Sequence, residues 1–223
     1  MKKILKDFYT RMEARYGPTG WWPGDTPFEI AVGAVLTQNT AWSNVEKAID
    51  NLKREKLLDP RAIVKCPRDR LETALTPSGY FRVKARRLRS FCEYLLARYG
   101  GSMRRMQRRP LETLRPELFD VHGIGPETAD DILLYACSKR VFVVDAYTRR
   151  IFSRHGIVDP SIPYEDLRRF FEKNLEPDLH LYSEYHALIV YVGKDYCRRV
   201  PRCAACPLGP TLKKGPPILG EPK

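Results

Sequence analysis

The sequence predicts an all-α fold, and three observations carry that prediction. Apolar residues recur along most of the chain at i, i+3, i+4 and i+7, the spacing of one face of a helix. Only Val141-Phe142-Val143-Val144 is β-like, and it has no clear partner strand. Pro and Gly, at 18 and 14 residues, punctuate the stripes, so roughly nine to eleven helices joined by short loops are expected.

Taken in order, Ile4, Leu5, Phe8, Met12 and Tyr16 make a first stripe, ended by Gly17-Pro18. An apolar stretch from Phe28 to Leu36 precedes a second stripe of Val45, Ala48, Ile49 and Leu52. A third, Leu88, Phe91, Cys92, Leu95, Leu96 and Tyr99, stops at Gly100-Gly101, a helix-ending pair. Ala129, Ile132, Leu133 and Ala136 share one face, Leu167, Phe170 and Phe171 another, and Leu181, Tyr185, Leu188, Ile189 and Val192 a last one. There is no internal repeat, and only the tail from Leu212 to Lys223, rich in Pro, Gly and Lys, reads as unstructured.

Composition narrows the function classes. Of 223 residues, 43% are hydrophobic and 30% charged, too apolar for a disordered polyelectrolyte and too charged for a membrane bundle. No run of about 18 apolar residues could span a bilayer, and Met1-Lys2-Lys3-Ile4-Leu5-Lys6-Asp7 breaks into charge too early for a signal peptide. A cytoplasmic monomer with no membrane partner is expected, nucleoid-associated if the source is prokaryotic. The 39 basic against 27 acidic residues leave a net charge of +12, which suits a polyanion, nucleic acid first. The basic run Arg104 to Arg109, and Lys84 with Arg86-Arg87, could add nonspecific phosphate contacts, although such runs are more often solvated helix faces. Six cysteines, at 66, 92, 137, 197, 203 and 206, are expected as thiols or metal ligands rather than disulfides.

Two segments carry chemistry. In Val121-His122-Gly123-Ile124-Gly125-Pro126-Glu127-Thr128, two glycines let the backbone turn tightly while Ile124 is free to bury. Pro126 suits a first helical position, and the free N–H groups beside it would make an anion site for a DNA phosphate. An ordinary helix–helix turn is the competing reading. Further on, Val143-Val144-Asp145-Ala146-Tyr147 sets one carboxylate directly after an apolar run. Asp145 could equally be the N-cap of the helix that follows.

The hairpin followed by an aspartate resembles the helix-hairpin-helix DNA glycosylase superfamily, the endonuclease III relatives, and Leu36-Thr37-Gln38-Asn39-Thr40 is similar to that family's L-[ST]-x-Q segment. The resemblance implies that Asp145 is the catalytic carboxylate. It implies DNA contacts from Gln38, Asn39, Gly123, Ile124, Gly125 and Thr128, with double-stranded DNA carrying damaged bases as the partner. At the position where bifunctional members carry a Schiff-base lysine stands Glu127, which implies a glycosylase that removes the base without AP lyase activity. Trp21-Trp22-Pro23, with Trp42 twenty residues after Trp22, closely resembles the 3-methyladenine DNA glycosylase III branch. That branch implies a base pocket of Trp21, Trp22, Pro23, Trp42 and Glu127, although core packing is the alternative for each indole and the more expected one for Trp21. Alkylated purines, 3-methyladenine first, would be the substrate. Another damaged or mismatched base, or a noncatalytic DNA-binding role, are the alternatives.

Cys197-x5-Cys203-x2-Cys206 resembles the family's iron–sulfur loop, C-x6-C-x2-C-x5-C. The first spacing is one residue short and no cysteine follows Cys206, so the cluster is expected to be lost and no metal or other cofactor bound. A zinc site completed by a histidine has little support, because His122, His155, His180 and His186 are distant from the loop in sequence. The resemblance further implies a six-helix domain over residues 26–139 and a second helical domain of residues 1–25 plus 140–223, with the active-site cleft between them.

Overall fold

The computed structural model describes residues 1–22 and 24–212; Pro23 and the tail beyond residue 212 lie outside the described part. Twelve α-helices, and no strand, occur among the described residues. The chain divides into two units, Pro23–Lys139 and Met1–Trp22 with Arg140–Lys223.

The Pro23–Lys139 unit contains α2 (Pro27–Leu36), α3 (Trp42–Arg54), α4 (Pro60–Lys65), α5 (Arg68–Leu75), α6 (Phe81–Tyr99), α7 (Met103–Gln107), α8 (Leu111–Phe119) and α9 (Pro126–Asp131). α9 runs on into a π-helical turn, Ile132–Ala136. Its centre is α6, against which α2, α4, α5 and α7 pack. Leu88, Phe91, Cys92 and Leu95 are fully buried there, and each large apolar side chain withdrawn from water contributes about 1.5–3 kcal/mol. α6 ends at Gly100, whose left-handed backbone (φ 63°) closes the last turn. Helix starts follow local chemistry: the Thr26, Asp59 and Ser102 side chains accept backbone N–H bonds at the heads of α2, α4 and α7. Twelve helices exceed the expected number because α4 and α7, at six and five residues, are too short to show a readable stripe. Arg115 grips Asp130 through both carboxylate oxygens (2.7 and 3.1 Å), tying α8 to α9 with the Asp130 side chain fully buried.

The other unit holds α1 (Lys2–Tyr16), α10 (Ala146–Arg154), α11 (Tyr164–Asn174) and α12 (Leu179–Asp195). Val141 to Val144 runs through its core outside any helix or strand, at most 1% exposed. The Phe142 ring stacks on Phe171 (4.2 Å, 4°), and the Phe142 N–H is taken by Glu172 Oε1 (3.0 Å). Tyr185 donates to the Leu5 carbonyl (2.8 Å), joining α12 to α1. None of the described helices is long and apolar enough to cross a membrane.

Candidate functional site

The buried run Val141–Val144 ends on Asp145, which stands as the N-cap of α10. One carboxylate oxygen, Oδ1, accepts both the Thr148 N–H (2.6 Å) and the Thr148 hydroxyl (2.8 Å). The other, Oδ2, faces His186 Nε2 of α12 at 3.7 Å. The two side chains are 11% and 5% exposed, so the pair sits in a nearly dry surround. Burial pushes the Asp145 carboxyl up, but His186 and the two Thr148 bonds outweigh it and hold the group below the usual carboxylate value. What brings α10 so near to α12 is Gly193: a Cβ there would meet the Tyr147 ring at 2.3 Å.

The same helix α12 holds the tryptophan segment. Glu184 accepts the Thr19 N–H (2.7 Å) and hydroxyl (3.0 Å), and Ser183 donates to the Trp21 carbonyl (3.1 Å). The Trp21 ring meets the ring of Tyr191 edge-on at 5.7 Å, and the Lys194 ammonium lies 5.7 Å from its centre. Trp21 and Trp22 are both half-buried, 5.7 Å apart and T-shaped, with the Trp21 ring packed on α12 as a packing role would have it. The predicted pocket residue Pro23 lies outside the described part.

In the Pro23–Lys139 unit, the hairpin takes the expected turn. Gly123 has φ +82°, Ile124 is buried, Gly125 is the N-cap of α9, and Pro126 is its first helical residue. Gly123 is required for a second reason, because a Cβ would lie 2.2 Å from Arg87 Cγ. Arg87 of α6 lies across the glycine and donates to Gln38 Oε1, while Gln38 Nε2 donates to the Gly123 carbonyl (3.2 Å) and the Thr128 hydroxyl (2.7 Å). Gln38 and buried Thr128 therefore form an internal clasp on the hairpin. Asn39 is exposed in the left-handed region (φ 54°), and Glu127 is exposed on the first turn of α9. Trp42, the first residue of α3, is half-buried with its indole N–H on Glu46 (2.9 Å).

Of the basic residues expected at phosphates, Lys84 is not available. It is 1% exposed and donates to the Ser78 carbonyl (2.6 Å), and burial together with the Arg87 charge lowers its amine to about 8. Arg86, Arg104 and Arg105 are exposed.

Cys197, Cys203 and Cys206 line one small cavity with Arg154, His155 and Leu212. The Arg154 guanidinium reaches the Cys197 sulfur (3.5 Å) and the carbonyls of Arg198 (2.6 Å) and Arg199 (3.2 Å). Three thiols, one of them facing a guanidinium, fall one ligand short of the four thiolates a cubane cluster takes, and the donor set does not fit that group. Among the described residues no group of three or more His, Cys, Asp or Glu side chains is arranged to hold a metal. His155 is closer to the cysteines than sequence distance suggested, but its Nδ1 pairs with the Thr211 hydroxyl (3.1 Å).

Sequence reasoning missed His186 and Tyr80, and read Arg87 as a phosphate contact where the structure turns its guanidinium onto Gln38. His186 and Arg87 lie 41 and 49 positions from the residues they touch, and no local pattern joins them. Tyr80 had a readable signal, an aromatic between Gly79 and the α6 stripe; it is 72% exposed on a left-handed backbone (φ 46°) at the head of α6.

Comparison with known proteins adds the family context. The profile of the HhH-GPD superfamily of base excision DNA repair proteins matches residues 32–177. A Methanocaldococcus jannaschii protein, MJ1434, named as a candidate DNA repair glycosylase, is 45% identical over 208 residues, 92% of this chain and 91% of that one. Thermotoga maritima endonuclease III is 30% identical over 181 residues, covering 81% and 79%. Among solved structures, H. pylori 3-methyladenine DNA glycosylase bound to 1,N6-ethenoadenine is similar with a TM-score of 0.75 and 31% identity, over 86% of this chain and 96% of that one. An endonuclease III–DNA complex shares the fold, with a TM-score of 0.82 at 23% identity over 96% of each chain.

Proposed function

The chain belongs to the HhH-GPD superfamily of base excision DNA repair proteins and is a DNA glycosylase, and from that premise we propose that it removes alkylated purines, 3-methyladenine first, without cleaving the strand. The observation that supports the substrate is that Trp21, Trp22 and Trp42 are each only half-buried and so keep part of an indole surface open. A glycosylase must hold an extruded base against flat apolar faces. An N3- or N7-alkylated purine carries positive charge, and an indole adds a cation–π attraction of about 0.5–2 kcal/mol that a normal base does not receive. The likeness to the H. pylori enzyme, at 31% identity, supports the same choice.

The chemistry then needs little. As the C1′–N bond breaks, its electron pair leaves with the base and cancels the base's positive charge, so no strong acid is required. The ionised Asp145 stabilises the oxocarbenium-like sugar, water adds to C1′, and the water's proton is released. Glu127 offers no amine to attack the sugar, which is why the reading excludes strand cleavage. Gly123, Gly125 and the exposed N–H groups beside them bind a phosphate, Gln38 and Thr128 hold that turn in shape, and Asn39 and Tyr80 face the DNA. The protein works as a monomer without an iron–sulfur cluster.

The test is release of free base from methylated, oxidised, deaminated and mismatched duplexes, with and without alkali. Methylated DNA should lose base and break only after alkali. Breakage without alkali would overturn the monofunctional reading, and release from another lesion alone would overturn the substrate. Metal analysis should find no iron; about four irons per chain would overturn the cofactor reading.

A further inference from the structure

We infer that His186 is a positioning residue for excision, aiming the reactive oxygen of Asp145 through its imidazole N–H. The inference rests on the reading of Asp145 as the catalytic carboxylate. Its basis is the unequal treatment of the two carboxylate oxygens. Oδ1 already accepts two short bonds from Thr148, at 2.6 and 2.8 Å, and is committed to capping α10. Oδ2 is left to serve the sugar, and the group set against it is His186 Nε2 at 3.7 Å.

Such a carboxylate needs a partner. An ionised group only 11% exposed is costly to keep unless neighbours replace its lost water. Thr148 alone would leave Oδ2 to swing about the Oδ1 anchor or to draw in a proton. An imidazole N–H at Nε2 supplies a donor on that side. Unlike the long side chain of a lysine or arginine, the short planar ring sets that donor in one direction and so orients the carboxylate. The ring is itself buried, 4% exposed, on α12, which Tyr185 ties to α1 through the Leu5 carbonyl and which Gly193 lets lie close to Tyr147 of α10.

Three substitutions and one combination test this. His186→Phe keeps a buried ring and removes the donor, and His186→Gln returns an N–H at nearly the reach of Nε2. Single-turnover base release from methylated duplex DNA should fall about 10- to 100-fold in His186→Phe, as the donor that faces the charged oxygen and closes on it during reaction is lost. It should recover to within about five-fold in His186→Gln, while abasic-duplex affinity changes less than about three-fold in both. In an Asp145→Asn background, His186→Phe should cost nothing further, because the two residues act as one unit. If His186→Phe melts below the assay temperature, His186→Met takes its place against Gln. A folded Phe or Met variant at the native rate, a Gln variant no better than Phe, or a further loss in the Asp145→Asn background would each overturn the proposal. Full excision by Asp145→Asn itself would instead overturn the reading of Asp145.

Discussion

The two units treat their polar groups in opposite ways. Around Asp145 the protein satisfies one oxygen with its own N–H and hydroxyl, shields the other, and keeps the pair almost dry. Around the Gly123–Gly125 hairpin it turns Gln38, Arg87 and Thr128 inward as braces and leaves Asn39 and Glu127 exposed. A group that acts on a transition state gains from low dielectric and a fixed direction, whereas a group that meets a phosphate must be reachable. The contrast predicts that damage to the first region slows chemistry and damage to the second weakens binding.

The sharpest way to break the contrast is Asp145→Asn. Asn caps a helix as well as Asp does, so folding should be nearly unchanged while excision falls about 10³-fold or more and abasic-duplex binding persists. Base-release kinetics beside a melting curve decide it; retained turnover would leave Asp145 as a cap alone. Because its native value lies below the usual carboxylate range, Asp145 stays ionised from pH 8 down to about 5 and imposes no loss of rate there. The stability it contributes is present above the unfolded value near 3.9 and is lost as pH falls through the lower native value.

Next in size is Trp42. Stacking on an extruded base is worth about 1–3 kcal/mol, so Trp42→Ala should slow excision about 5- to 150-fold, with Trp42→Phe in between. Since Trp42 is half-buried, its truncation should cost less than the about 3–5 kcal/mol of a core tryptophan. A full core-sized loss in the melt, with normal excision per folded molecule, would return Trp42 to packing.

Gly123→Ala should act on the other side of the contrast. The +82° backbone costs an L residue about 1–2 kcal/mol, and the new Cβ displaces Arg87. Duplex affinity should fall about 5- to 30-fold with single-turnover chemistry nearly native. Native affinity should itself decline with salt, by about 0.9 ions per phosphate contact, and a flat profile would contradict DNA binding through this surface.

The smallest effect concerns Lys84. Its amine is lowered to about 8 against 10.5 when unfolded, so between those values the unfolded chain holds more protons and native stability rises with pH. Subtracting denaturant curves of Lys84→Met from those of the native protein should isolate that rise; a flat difference would mean the amine is solvated.

What was legible in the sequence follows from how local each signal is. The stripe Leu88 to Leu95 gave α6 because a helix writes its buried face every three to four residues, and the glycines at 100–101 marked its end. The Val141–Val144 run read as β-like without a partner strand; the structure forms no strand there but buries all four side chains, which is what a row of β-branched and aromatic residues signals locally. Asp145 could be read both as cap and as carboxylate; in the structure it is a cap through Oδ1, and Oδ2, facing His186, is the oxygen to which the proposed chemistry falls. The braces could not be read, because the contacts of His186 and Arg87 exist only once distant helices have packed. Lys84 looked like a surface charge because its neighbours in sequence are arginines; only the packing of α6 shows it turned inward.

One consequence concerns how this molecule can change over time. α12 grips the tryptophan segment at Ser183 and Glu184 and faces Asp145 at His186, two to three positions later. A helix rotates about 100° per residue, so the angle between those grips is set by counting residues. A single insertion or deletion between 184 and 186 would swing one grip out of reach of its target, and no side-chain substitution nearby could restore both. The stretch 183–186 should therefore be intolerant of any change in length, whereas the loop from Leu175 to Pro177, just ahead of the helix, can lengthen or shorten without disturbing the spacing.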